Sequence, residues 1–201
     1  METKLVIVDI RSSMEALMHP EVFCSEGRLS RCAGIKNEKA RLQGYAAELA
    51  LSYALSGSEL RPPVYRYIEN GKPVIDCGFI SLSHSGNFAV CAYSPVPVGV
   101  DIEEHRAVRP SVSKRLLSDS EAERYDLSTD EHFLLKKFVM KEAYLKMTGE
   151  GITGGLRDIE EQDGIVLRSG IPSAFFVPLS SEGFIGALVS LEKTEVGTIF
   201  L

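Results

Sequence analysis

Two carboxylates stand two residues apart in the run Val98-Gly99-Val100-Asp101-Ile102-Glu103. An extended chain sends successive side chains to opposite faces, so Val98, Val100 and Ile102 share one face while Asp101 and Glu103 share the other. Neighbouring acids repel unless a positive group lies between them. A hard cation such as Mg²⁺ takes oxygen ligands and is commonly held by one or two carboxylates plus substrate phosphates. A solvated strand face without a metal is an equally good local reading. The apolar flanks, and a glycine that leaves the acidic face open to something bulky, speak for a site. Further along, Phe138-Val139-Met140-Lys141-Glu142-Ala143-Tyr144-Leu145-Lys146 offers a third carboxylate and two lysines. On a helix, Phe138, Glu142 and Lys146 fall on one stripe. A Glu–Lys pair at i,i+4 is by default a surface ion pair worth roughly 0.2–0.5 kcal/mol. An acid one turn from a large aromatic ring needs a partner, and a metal would serve.

Other polar groups are weaker signals. Ser83-His84-Ser85-Gly86 is a polar knot between apolar runs. Its histidine could touch a phosphate beside the N–H groups of a tight turn, or simply be satisfied by its neighbours' hydroxyls. Arg28, Arg31, Lys36, Lys39 and Arg41 gather ahead of a helix with Glu26 and Glu38 among them, which is ordinarily a solvated face. No G-x-S-x-G, H-E-x-x-H or Walker A pattern occurs, so serine hydrolase, zincin and P-loop chemistries lack their usual support.

The elements that must position these groups are readable. Leu5–Ile10 reads as an opening strand. Leu42, Ala46, Leu49 and Tyr53 recur at helical spacing between Asn37 and Ser56, with Gly57 as a stop. Pro62-Pro63 opens a loop and strand region, and Asn70-Gly71-Lys72-Pro73 reads as a turn. Residues 79–83 and 88–94 read as strands joined by a Ser-Gly-Asn turn, followed by the strand Val98–Glu103. Ser118-Asp119-Ser120-Glu121 has the capping-box pattern. Ser128-Thr129-Asp130-Glu131 repeats it ahead of a long helix that Gly149 should end near Met147 or Thr148. The tail offers strands at 164–168, 174–177 and 184–191. Gly86–Ala92 and Gly183–Val189 are weakly alike, a hint of two similar halves.

Composition bounds the rest. With 201 residues, 44% hydrophobic and 25% charged, the chain can bury a substantial core as one domain or two small ones. A net charge of −6 argues against a general nucleic-acid binder. The acidic excess lies in the second half, which leaves the first half the better place for an anionic ligand. Cys24, Cys32, Cys77 and Cys91 have no metal-finger spacing and no dense framework, which fits a reducing cytoplasm. Cys91, in an apolar run, reads as a core residue. The N-terminal apolar stretch is too short for a signal peptide, and no segment has the length to span a bilayer. A soluble, cytoplasmic protein is expected.

Taken in order, Ser83-His84-Ser85-Gly86, Gly99-Val100-Asp101-Ile102-Glu103 and Phe138-x-x-Lys141-Glu142-Ala143-Tyr144-x-Lys146 resemble the 4′-phosphopantetheinyl transferases, in their larger Sfp-type branch. The resemblance runs from about Lys36 through Gly151, with Asn70–Ile75 matching a family turn and Arg106 fitting D-I-E-x-x-R. It implies an α/β (α+β) fold, a pseudo-dimer of two similar α/β subdomains with the active site in the cleft between them. The halves would be an N-terminal subdomain over 1–96, with nucleotide and phosphate contacts, and a C-terminal one over 97–201, with the metal site and catalytic helix. The implied reaction moves the 4′-phosphopantetheine arm of coenzyme A to a serine of an apo acyl or peptidyl carrier protein, releasing 3′,5′-ADP. The implied metal, Mg²⁺ or Mn²⁺, falls to Asp101, Glu103 and Glu142, with Glu142 also able to act as base and Lys146 assisting the leaving phosphate. Coenzyme A contacts fall to Arg41 (3′-phosphate), Lys72 and Pro73 (nucleotide), Ser83 and His84 (phosphate), together with Asp101 and Lys146. A monomer without nucleic-acid or membrane partners is expected.

Three departures stand out. Phe138 replaces the usual tryptophan, Leu42 replaces a hydroxyl residue of some relatives, and the basic run before Arg41 is thin. Two other readings compete: a Mg²⁺-dependent phosphodiesterase or nuclease, and a non-catalytic carrier-binding module. His105 where a nuclease would want lysine, together with the net acidity, counts against the first. The intact acidic set counts against the second.

Overall fold

The computed structural model describes residues 2–68, 71–126, 128–151 and 155–201. In chain order these form β1 (Glu2–Asp9), α1 (Met14–Leu17), α2 (Glu26–Ala33), α3 (Glu38–Ser56), β2 (Arg66–Tyr67), β3 (Pro73–Val74), β4 (Phe79–Ser85), β5 (Phe88–Ser94) and β6 (Val98–Glu104). The second half continues with α4 (Ser113–Leu116), α5 (Asp119–Asp126), α6 (Phe133–Thr148), β7 (Ile159–Gln162), β8 (Ile165–Arg168), β9 (Ile171–Ser180), β10 (Phe184–Ser190) and β11 (Glu195–Phe200).

Two sheets lie back to back between two long helices. The first has the order β11-β1-β5-β4 and the second β6-β10-β9-β8-β7. Alternation along β1 sets the layers: Val6 and Val8 join the core under α3, while Leu5 and Ile7 join a second core between the sheets. Val98, Val100 and Ile102 fill that inter-sheet core from the other side, as expected for the apolar face of their strand. A third core holds α6 on the second sheet through Val139, Met140, Ala143 and Leu145 against Ala187 and Val189.

The halves repeat one topology. In each, a strand leads to a long helix and then to an antiparallel pair, and the last strand of the pair takes the central place: β1-β5-β4 matches β6-β10-β9. The two glycine-led runs are β5 and β10, so their likeness reflects equivalent positions. One exchange crosses this symmetry, since β11 returns to pair in parallel with β1.

Local chemistry explains the helix ends. Asn37 Oδ1 accepts from Ala40 N at 3.0 Å and Gly57 takes φ 67°, which bounds α3 where the sequence indicated. Gly149, left-handed at φ 80°, ends α6 as expected. The capping box at Ser118 forms: Ser118 N donates to Glu121 Oε2 and Glu121 N to Ser118 Oγ, each at 3.2 Å. The repeat at Ser128 does not cap α6. Asp130 is tied up locally by Ser128 and His132, and the helix begins only at Phe133. The expected Ser-Gly-Asn turn is shorter, because β4 runs through Ser85 and turns on Gly86-Asn87. Between β2 and β3, Ile68 N donates to Lys72 O at 3.1 Å, while Asn70 of that turn lies outside the described residues. Cys91 is fully buried in the first core. No helix among the described residues is long and apolar enough to cross a membrane.

Candidate active site

β6 is the edge of the second sheet, and its outward N–H groups would lack partners. Serines at alternate positions of β4 supply them. Val100 N donates to Ser81 Oγ at 3.0 Å, Ile102 N to Ser83 Oγ at 3.3 Å and Glu104 N to Ser85 Oγ at 3.0 Å. Hydroxyls therefore do for β6 what a neighbouring strand's carbonyls would do, and they fix the seam between the halves. Two of them also hold the acids: Ser83 Oγ donates to Asp101 Oδ1 at 2.7 Å and Ser85 Oγ to Glu103 Oε2 at 2.9 Å.

The open space expected at Gly99 is filled. A Cβ there would lie 1.9 Å from Ala143 O and 2.6 Å from Met147 N. The bulky group that the glycine admits is the backbone of α6, not a ligand. This close approach sets Glu142 and Lys146 over the acidic face of β6. Lys146 Nζ donates to Asp101 Oδ1 at 2.7 Å and to Leu82 O at 3.2 Å.

A cleft of about 390 Å³ opens along the seam, lined by Asp101, Glu103 and Glu142 together with Phe138, Lys146 and His84. Lys72 lines an adjoining space, and Pro73 lines both. Asp101 is 6% exposed and Glu142 8%. Burial raises the Asp101 carboxyl above its usual range, with Lys146 and Ser83 partly offsetting it. Burial also raises Glu142, and repulsion from Asp101 adds to it. Glu142 Oε1 is buried with no hydrogen-bond partner. A buried carboxylate oxygen without a donor, facing two further acids, has the chemistry of a ligand for a hard cation. The donor set therefore fits Mg²⁺, although no three such side chains among the described residues are gathered as closely as a bound ion requires. Lys146 supplies the positive charge at Asp101.

The remaining residues singled out from sequence fall in different places. His84 stays open to solvent. The cleft walls, Lys146 and Arg28 hold its imidazole below the usual range, so the ring is neutral at pH 7. Lys72 Nζ donates to Met147 O at 2.5 Å, satisfying a carbonyl at the end of α6, and burial lowers its ammonium. Arg41 is not among the residues lining either space, and its Nη1 donates to Ile35 O at 3.3 Å. Arg28 does line the cleft: its Nε meets Glu48 Oε2 at 3.1 Å and its Nη2 donates to Tyr67 OH at 3.2 Å. Arg106 pairs with Glu103 at 3.4 Å. Lys141 turns away from the cleft. It is fully buried, bonded to Glu121 Oε2 and, at 2.7 Å, to Leu116 O. Sequence reasoning named Ser85 within the polar knot but gave it no role, and the S-x-S-x-S alternation at 81–85 was the signal for one.

Residues 97–177, which contain the three acids and Lys146, match the family model of the 4′-phosphopantetheinyl transferase superfamily. The chain is 38% identical over 93 residues to the 4′-phosphopantetheinyl transferase psf-1 of Bacillus pumilus, covering 43% of this chain and 40% of that protein. It is 32% identical over 114 residues to the 4′-phosphopantetheinyl transferase Sfp of Bacillus subtilis, covering 52% and 48%. A partial structural likeness to Thermotoga maritima holo-[acyl-carrier-protein] synthase covers 49% of this chain and 64% of that one, at TM-score 0.39 and 27% identity. The chain spans less than half the length of the curated relatives psf-1 and Sfp. Over these stretches the chain is similar to the 4′-phosphopantetheinyl transferases, Sfp-type members among them.

Proposed function

We propose that the chain transfers the 4′-phosphopantetheine arm of coenzyme A to a serine hydroxyl of an apo acyl or peptidyl carrier protein. The serine oxygen forms a bond to the pantetheine-side phosphorus, the pyrophosphate P–O bond breaks, and its electron pair leaves with 3′,5′-ADP. The observation that carries this reading is the partnerless Glu142 Oε1 facing Asp101 and Glu103 beside Lys146, within the family-matched segment.

Asp101, Glu103 and Glu142 would hold the divalent cation. When bound, Mg²⁺ would neutralise the pyrophosphate and the charge that develops as it breaks. Glu142, raised towards neutrality by its surroundings, takes the serine proton. Lys146, one helical turn on, leaves Asp101 to stabilise or protonate the departing phosphate. Ser83 and neutral His84 contact phosphate and Lys72 and Pro73 the nucleotide, while Arg41, outside the cleft lining, would serve a 3′-phosphate that reaches beyond it. In this reading residues 1–96 serve the nucleotide and residues 97–201 the metal and catalysis, with β11 lent back to the first sheet. The protein works as a cytoplasmic monomer.

Mass spectrometry of apo carrier proteins incubated with the protein, coenzyme A and Mg²⁺ tests the proposal. The expected result is a gain of one phosphopantetheine, lost with Asp101→Ala while circular dichroism stays native. No gain on any carrier, or full transfer in metal-free buffer, would overturn it.

A further inference from the structure

The serine ladder has three rungs but only two of them hold an acid. Ser83 accepts from Ile102 N and donates to Asp101; Ser85 accepts from Glu104 N and donates to Glu103. Each serine thus joins the backbone of one β6 residue to the carboxylate of the residue before it. Ser81 accepts from Val100 N in the same way, but the residue before Val100 is Gly99, so this rung has no carboxylate to hold. Seam-building and acid-holding are therefore separable within one strand.

Glu103 is the acid that most needs holding. Its side chain is 24% exposed, against 9% for Asp101, and Arg106 Nε lies 3.4 Å from its Oε2. Glutamate has one more rotatable bond than aspartate, and a half-exposed carboxylate beside an arginine can swing outwards. The Ser85 hydroxyl, fixed by its bond from Glu104 N, opposes that swing.

Resting on the metal reading above, we propose that Ser85 is a positioning residue that aims Glu103 into the cleft and so sets the affinity of the site for a divalent cation. Groups that orient a ligating carboxylate typically account for about 10–100-fold in metal affinity.

The test is titration of the full chain with Mn²⁺, free ion being read by electron paramagnetic resonance, with thermal melting alongside. Ser85→Ala is expected to weaken Mn²⁺ binding about tenfold or more, and Ser85→Thr, which keeps the hydroxyl, to restore it. Ser81→Ala removes the same kind of seam bond and is expected to lower the melting temperature comparably while leaving Mn²⁺ affinity unchanged. Equal Mn²⁺ affinity in Ser85→Ala and the wild type would overturn the proposal alone, as would equal weakening by Ser81→Ala. Absence of Mn²⁺ binding by the wild type would overturn the metal reading and this proposal with it.

Discussion

Glu142→Gln separates the demands of the site from those of the fold. Glu142 is nearly fully buried, its Oε1 has no donor, and Asp101 and Glu103 both push against its charge. A buried polar atom left without a partner costs about 1–3 kcal/mol, more when it is charged. The amide is nearly isosteric, leaves no cavity and removes the charge, so much of that penalty should be relieved. Taking about 1–2 kcal/mol and about 2–4 °C per kcal/mol for a chain of this size, the variant should melt roughly 2–8 °C above the wild type in EDTA at pH 7.5.

The sign of the pH dependence follows from the raised carboxyl. The native state holds this proton more tightly than the unfolded chain, so stability is greatest below the ordinary carboxylate range and falls as pH rises through the raised value. The advantage of Glu142→Gln should therefore shrink as pH falls through that raised value and the wild-type acid regains its proton. Mg²⁺ should raise the melting temperature of the wild type and leave the variant nearly unchanged. Differential scanning fluorimetry across pH, with and without Mg²⁺, reads all three. A variant that melts at or below the wild type in EDTA at pH 7.5, or a gap that widens on acidification, would refute the reasoning.

Two further outcomes follow from the packing. Lys141→Met strands Glu121 as a buried charge with Lys137 at 3.5 Å and the Ser118 N–H at 3.2 Å left to answer it, and should cost about 3–5 kcal/mol in urea unfolding. Adding Glu121→Leu should recover most of that loss, and Mn²⁺ affinity of the double variant should match the wild type because the pair faces away from the cleft. Gly99→Ala forces a methyl group against the α6 backbone, where no side-chain rotation can relieve it. It should cost about 1–3 kcal/mol by the same unfolding assay, and transfer activity should fall further than stability because Glu142 and Lys146 move with the helix.

What could be read in advance was what depends on local chemistry. The helix start at Asn37, the capping box at Ser118, the stops at Gly57 and Gly149 and the alternation through Val98–Glu103 each follow from a few neighbouring residues. The helix at Phe133 begins late because Asp130 bonds its own neighbourhood, which a capping pattern cannot reveal. β11 was invisible for a different reason: its pairing with β1 is decided across the whole length of the chain. Gly99 was recognised as special but misassigned, because a missing side chain indicates only that something comes close. Lys141 and Lys146 lie five positions apart on one helix and look alike in sequence, yet one answers a buried capping glutamate and the other reaches the cleft. Arg28 and Arg41 differ likewise, since only Arg28 meets the buried Glu48 that turns it to the cleft.

The mutual repulsion of Asp101, Glu103 and Glu142 is held in place by contacts that involve no charge. α6 can press its carboxylate onto an acidic strand because Gly99 has no side chain, and because the opposite face of β6 is locked by Val98, Val100 and Ile102 between the sheets. The edge of that strand is closed by hydroxyls from the other half of the molecule, which fix the backbone that carries Asp101 and Glu103. Lys146 relieves the repulsion at Asp101 but leaves Glu142 Oε1 without a partner. A second positive group entering the cleft would meet three acids that line it, with the cost of holding them on one face borne by the apolar core behind them.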